Sequence, residues 1–120
     1  MKKLLIFITL FVIFILYSAI VYTSGTQGVA ANEKATEGKL IFQKYNCTAC
    51  HQLYGLGGYL GTDLTSLISQ HGKGELYAKA ILKTGTPRMP DFHLKDEEID
   101  ALIEFLKYVD TTTITYKNKI

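Results

Sequence analysis

The 120-residue sequence has no tryptophan, two prolines, two cysteines and two methionines, one of them Met1. It also lacks a basic surplus. Lys and Arg number 13 against 11 Asp and Glu, and Lys2 and Lys3 account for the whole difference. A nucleic-acid binder needs a positive face, so no nucleic acid is expected among the partners. Repeats and low-complexity tracts are absent, and no alternating run signals a strand. Apolar residues are scarce after residue 22: 39 of the remaining 98, thin for a self-sufficient core. A domain of that size needs a staple beyond its own packing.

What the sequence does contain is unevenly placed. Residues 4–22 hold 17 apolar residues in 19 and no charge. At 1.5 Å per residue such a helix spans about 28 Å, close to the roughly 30 Å hydrocarbon core of a bilayer. Lys2 and Lys3 precede it and the next basic residue is Lys34. The positive-inside rule therefore makes residues 1–3 a cytoplasmic tip, 4–22 a single-pass anchor in the cell membrane, and puts the rest on the periplasmic, extracytoplasmic side. A cleaved signal peptide competes with this reading, because Val29-Ala30-Ala31 resembles a cleavage site. Against it, the apolar run exceeds the usual h-region of about 7–15 residues. Residues 23–35 are small and polar and read as a tether.

The soluble part, 36–110, reads as all-α, followed by a tail over 111–120. Thr36 is a candidate N-cap for a helix over 37–45. Four glycines between Gly55 and Gly61 predict an irregular loop. Asp63 is placed to cap a short helix carrying Leu64, Leu67 and Ile68. Glu75 to Lys83 reads as a further helix, stopped by Gly85. Pro87 and Pro90 bracket an extended loop. Ile99, Leu102, Ile103 and Leu106 follow i, i+3, i+4, i+7, with Asp96, Glu97 and Glu98 at the favourable N-terminal end. The β-branched run Thr111 to Ile114 ends that helix.

Both cysteines fall in Cys47-Thr48-Ala49-Cys50-His51, a C-x-x-C-H motif, which is the signature of covalent haem c attachment. Two thiols three positions apart can form thioethers with the two haem vinyl groups, and His51 can then ligate the iron. A redox disulfide would want a βαβ context, and a zinc site would need four ligands, which His71 and His93 do not supply by spacing. A structural disulfide stays open but leaves His51 and the thin core unexplained. Met89, in Thr86-Pro87-Arg88-Met89-Pro90, is the candidate sixth ligand. The prolines stiffen its loop, and His/Met is a recognised haem pairing. His93 is the alternative ligand, and gap-filling core is the ordinary use of a lone methionine.

These elements together resemble the class I cytochromes c: the helix around Gly38-Lys39-Leu40-Ile41-Phe42, C-x-x-C-H, the Met89-Pro90-Asp91-Phe92 loop, and Leu102 to Lys107, in that order. The resemblance implies that the first and last helices cross at a glycine, so Gly38 and Phe42 should meet Leu102 and Phe105. It also implies a carbonyl partner for the proximal His Nδ1–H. Here Thr62 stands where the family has proline. The runs Cys50 to Leu60 and Met89 to Leu94 are further similar to the cytochrome c subunit of bacterial nitric oxide reductase. That likeness implies one haem and an integral-membrane haem–copper-type catalytic subunit as partner. It also implies a soluble or membrane electron donor and an interfacial calcium ion near Gly57 and Tyr59. Tyr59 is a candidate propionate contact, with pocket packing as its plainer role.

Three functions follow for weighing. Electron transfer as a non-catalytic subunit suits a six-coordinate haem. Gas sensing or catalysis needs an open sixth position, which Met89 would fill. A free-standing, membrane-anchored shuttle serving another oxidase or reductase suits a longer tether. Residues 33–90 carry a net +3 and residues 91–110 a net −5. This asymmetry reads either as a docking surface or as an ordinary solvated helix.

Overall fold

The computed structural model describes residues 1–25 and 30–113, which divide into two units, residues 1–30 and the domain that follows. The first unit is one helix, α1 (Lys2–Gly25), long and apolar enough to cross a membrane, with a mean hydropathy of 3.0 over an 18-residue window. It runs past both ends of the 4–22 span read from the sequence.

The second unit begins with α2 (Glu33–Lys44), four residues before the expected start. Asn32 caps it, its side-chain oxygen accepting the Ala35 amide at 2.7 Å. Thr36, the expected cap, instead donates its hydroxyl to the Asn32 carbonyl at 3.0 Å. A left-handed Asn46 then turns the chain into a 3₁₀ turn, Cys47–Ala49. The expected irregular loop contains a small antiparallel hairpin of β1 (Gln52–Leu53) and β2 (Leu56–Gly57). Two-residue strands are too short to leave an alternating pattern.

The short helix expected after Asp63 is instead a series of turns. The Asp63 carboxylate accepts both the Thr65 amide, at 2.8 Å, and the Thr65 hydroxyl. A side chain spent two residues ahead makes an Asx turn rather than starting a helix. Helix α3 (Glu75–Thr84) matches expectation and stops at Gly85, whose φ is +65°. Helix α4 (Asp96–Thr111) buries Ile99, Leu102, Ile103 and Leu106, the positions that the spacing marked, together with Ala101, Phe105 and Val109. Its amino end is closed by Glu98, whose carboxylate accepts the Lys95 amide at 3.1 Å. Thr111 is its last residue. Residues 114–120 of the expected tail, among them Ile114 of the terminating run, lie outside the described residues.

The domain is organised by the pairing of α2 with α4. A Cβ on Gly38 would lie 2.5 Å from the Ala101 carbonyl carbon and 2.8 Å from Phe105 Cβ. Only a residue without a side chain permits that approach. Just beyond it the Phe42 and Phe105 rings meet at 5.4 Å, tilted by 54°. Ile41, Phe42, Ala101, Leu102, Phe105 and Val109 form one cluster, and α3 closes a second through Ala78, Leu67, Ile99, Ile103 and Leu106. The expected crossing is present, with Ala101 rather than Leu102 facing the glycine.

Candidate functional site

Between α3, the 62–67 turns and α4 lies an open cleft of about 580 Å³, mouth included. Its wall is almost wholly apolar: Phe42, Leu64, Leu67, Ala78, Ile81, Leu82, Leu102 and Leu106 line it. His51, Met89, Cys47, Thr62 and Tyr77 complete it. The fold thus brings His51 and Met89, 38 residues apart, onto one cavity.

The motif is delivered by the end of α2. After Asn46, the Cys47 carbonyl accepts the amides of Cys50 at 3.2 Å and His51 at 2.9 Å, curling the five residues tightly. Cys47 and Cys50 are free and half-buried. Burial pushes the Cys47 thiol up from its ordinary range, because the thiolate loses hydration. The following loop is folded onto the motif by backbone bonds from Gly58 N to Thr48 O (2.9 Å) and Gly61 N to Cys50 O (2.7 Å).

His51 is oriented from behind. Its Nδ1–H donates to the Thr62 carbonyl at 2.8 Å, so that in the neutral ring Nε2 is the nitrogen with the free lone pair. A threonine carbonyl thus serves where the resemblance calls for proline. A Cβ on Gly61 would lie 2.5 Å from His51 Nδ1 and 2.9 Å from Nε2, so the chain runs flat against the imidazole. Tyr54 braces this region. Its amide donates to Thr65 Oγ1 at 2.7 Å, and its hydroxyl lies 2.5 Å from Thr112 Oγ1 at the far end of α4.

Met89 is presented by a closed turn. Thr86 N donates to Met89 O at 2.8 Å, and Met89 N donates back to Thr86 O at 3.1 Å. Phe92 stacks edge-on to Tyr45, with ring centroids 5.5 Å apart. His93, the alternative ligand, is 87% exposed and paired with Asp91 at 3.2 Å, and it does not line the cleft. Tyr59 does not line it either. The residue is 83% exposed, because the loop packs its backbone inward and turns its side chains out. The calcium expectation finds no support in a donor cluster: among the described residues no group of three or more His, Cys, Asp or Glu could hold a metal ion.

The acidic stretch after residue 90 is less one-sided in space than in sequence. Lys79 pairs with Asp100 (2.9 Å) and Glu75 (3.2 Å), Lys107 with Glu75 (2.8 Å) and Glu104 (3.0 Å), Lys83 with Asp96 (3.0 Å), and Lys44 with Glu98 (3.4 Å). The cations of α2 and α3 thus neutralise much of α4. These bonds hold Glu75, Asp100 and Glu98 below the usual carboxylate range: Glu75 chiefly through Lys107, Asp100 through Lys79, and Glu98 through the Lys95 amide. Sequence reasoning missed Tyr77 and Leu82 as cleft residues, although both lie within the periodic α3 pattern. It also missed Thr65, whose role depends on contacts that spacing does not reveal.

A haem fits the residues present: an apolar slot, an imidazole with its second nitrogen committed elsewhere, a thioether and a thiol on the same wall. Known proteins agree. The family model described as "Cytochrome C oxidase, cbb3-type, subunit III" matches residues 33–106. The chain is 29% identical over 85 positions to a nitric oxide reductase subunit of Stutzerimonas stutzeri, covering 63% of this chain and 58% of that one. The corresponding subunit of Paracoccus denitrificans is 32% identical over 87 positions (62% and 58%). A cytochrome c-553-like protein of Synechocystis is 29% identical over 82 positions (68% and 75%). The matches span about three fifths of the length of these reductase subunits. From α2 through most of α4, then, the chain belongs to the cytochrome c family of that description, as a class I c-type cytochrome close to these nitric oxide reductase subunits.

Proposed function

We propose that this chain is a membrane-anchored cytochrome c with a single haem, the electron-entry subunit of a nitric oxide reductase-like complex. The observation that carries the reading is the shared cleft of His51 and Met89, with Cys47 on its wall. Cys47 and Cys50 would hold the group through two thioethers, and His51 and Met89 would be the donors to its iron. Bound there, a haem c supplies one-electron chemistry by cycling between ferric and ferrous iron. The protein's part is to hold both donors still and to keep water out. Thr62 fixes the His51 tautomer, while Leu64, Leu67, Ile81 and Leu102 give the cleft a low dielectric. Because His51 and Met89 line the same cleft and would both be offered to the iron, the chain is read as a carrier rather than a catalyst or gas sensor.

Helix α1 anchors the carrier, with its lysine-bearing end cytoplasmic and the domain outside. The partner inferred is an integral-membrane subunit of the haem–copper type, since the relatives are named as subunits of a reductase. The likeness to a cytochrome c-553-like protein favours a second reading, a free-standing anchored carrier. Purification of the tagged full chain from solubilised membranes separates the two. A copurifying polytopic haem protein supports the subunit reading, and the chain alone with its haem supports the free carrier. Haem that leaves the denatured chain in acid–acetone overturns the attachment through Cys47 and Cys50.

A further inference from the structure

Met89 reaches the cleft from a loop that carries its own clamp, and that clamp includes the Thr86 side chain. The Met89 amide lies 3.0 Å from Thr86 Oγ1 as well as 3.1 Å from the Thr86 carbonyl, so one threonine meets it twice. The Thr86 amide returns a bond to the Met89 carbonyl at 2.8 Å. Pro87, second in the turn, has its φ fixed by its ring, and a hydroxyl residue in the first position is the favoured companion. Below the turn, Gly85 leaves no room. A Cβ there would lie 2.8 Å from Met89 O and 2.9 Å from Asp91 N, and its φ of +65° suits glycine. The loop is therefore seated directly on the end of α3.

We propose that Thr86 is a positioning residue for Met89: its hydroxyl oxygen, by taking the Met89 amide, holds the turn in the form that points the thioether into the cleft. This rests on the reading of Met89 as axial donor. Methionine has three rotatable side-chain bonds, so a thioether on a loose loop loses much freedom on ligation. A turn already closed pays part of that cost in advance. The backbone pair closes the turn without help from the side chain, so removing the hydroxyl should leave the fold intact and loosen only the presentation of Met89. Thr86 is exposed and sits outside the clusters that stabilise the domain.

The test is a titration of the oxidised, haem-loaded full chain with imidazole, which competes with the thioether for the sixth position. Thr86→Val, nearly isosteric but without the oxygen, should bind imidazole roughly fivefold more tightly, the usual scale for one net hydrogen bond. Thr86→Ser should match wild type, since it restores the acceptor. The thermal midpoints of all three should agree within a few degrees. Should the valine variant fail to load haem, Thr86→Ala reads the same loss. Imidazole affinity unchanged in the hydroxyl-free variant, or raised equally in Thr86→Ser, overturns the proposal. Met89→Ala is the control: if imidazole binds it no better than wild type, the assignment of Met89 itself fails instead.

Discussion

Replacing Gly38 with alanine tests the fold at its tightest point, because two effects of opposite sign compete there. Helix propensity alone favours alanine by about 1 kcal/mol in the middle of α2. Packing opposes it. The new methyl would lie 2.5 Å from the Ala101 carbonyl carbon and 2.8 Å from Phe105 Cβ, where ordinary contact needs about 3.4 Å or more. Both obstacles are parts of α4 that cannot swing aside, so the helices must separate by roughly an ångström. That gap loosens the Phe42–Phe105 contact and the cluster around Leu102. Overpacking of this kind costs typically 1–3 kcal/mol, and the lost contacts across the pair come on top. Set against the propensity gain, a net loss of about 1–2 kcal/mol is expected. For a domain of this size that corresponds to a fall of roughly 5–15 °C in thermal midpoint. Circular dichroism melting of the haem-loaded full chain measures it, with exposed Lys39→Ala on the same helix as reference. A midpoint for Gly38→Ala equal to or above wild type would refute the close crossing of α2 and α4.

Met89→Ala should let carbon monoxide bind the reduced haem and should lower the reduction potential, since a soft neutral sulfur favours the ferrous state. A wild-type protein that binds carbon monoxide readily would contradict the carrier reading. Gly61→Ala should drive its methyl into the His51 ring and break the Nδ1–Thr62 bond, seen as a weakened low-spin absorption spectrum; an unaltered spectrum would show that the imidazole is not held this way. The depressed acids Glu75 and Asp100 contribute stability that is present above their unfolded pKa and lost as pH falls through the lower folded value. The stability of the full chain should therefore decline from about pH 4.5 downward, modestly because these groups are exposed, and less steeply in Glu75→Gln or in high salt.

The elements most legible in the sequence were those fixed by local rules. Helix α4 announces itself through Ile99, Leu102, Ile103 and Leu106, and α3 through Gly85 at its end. The C-x-x-C-H motif named its own chemistry, and the lone sulfur of Met89 reaches the same cleft as His51. What stayed hidden depended on choices between neighbouring polar groups. Asn32 and Thr36 are both competent caps, and Asn32 prevails because its oxygen meets the Ala35 amide, while the Thr36 hydroxyl turns back to the Asn32 carbonyl. Asp63 is an equally good cap on paper, yet Thr65 takes its carboxylate. The ion pairs within the charge asymmetry were hidden for a related reason. Lys79 and Lys107 lie 28 residues apart in sequence and share Glu75 in space.

The pairing of α2 with α4 also sets an order of events. Gly38 and Ala101 belong to opposite ends of the domain, so their contact closes a loop comprising nearly all of it. During synthesis, Cys47 and Cys50 emerge long before the helix that will cover α2 exists. In the folded domain Cys47 is half-buried against the cluster that α2 and α4 share, and its thiol is harder to ionise, hence a poorer nucleophile. The same architecture that shelters the finished site thus leaves its thiols open early. An unpaired α2 would therefore leave Cys47 the more reactive thiol for covalent attachment, and the closed α2–α4 pair the less reactive one.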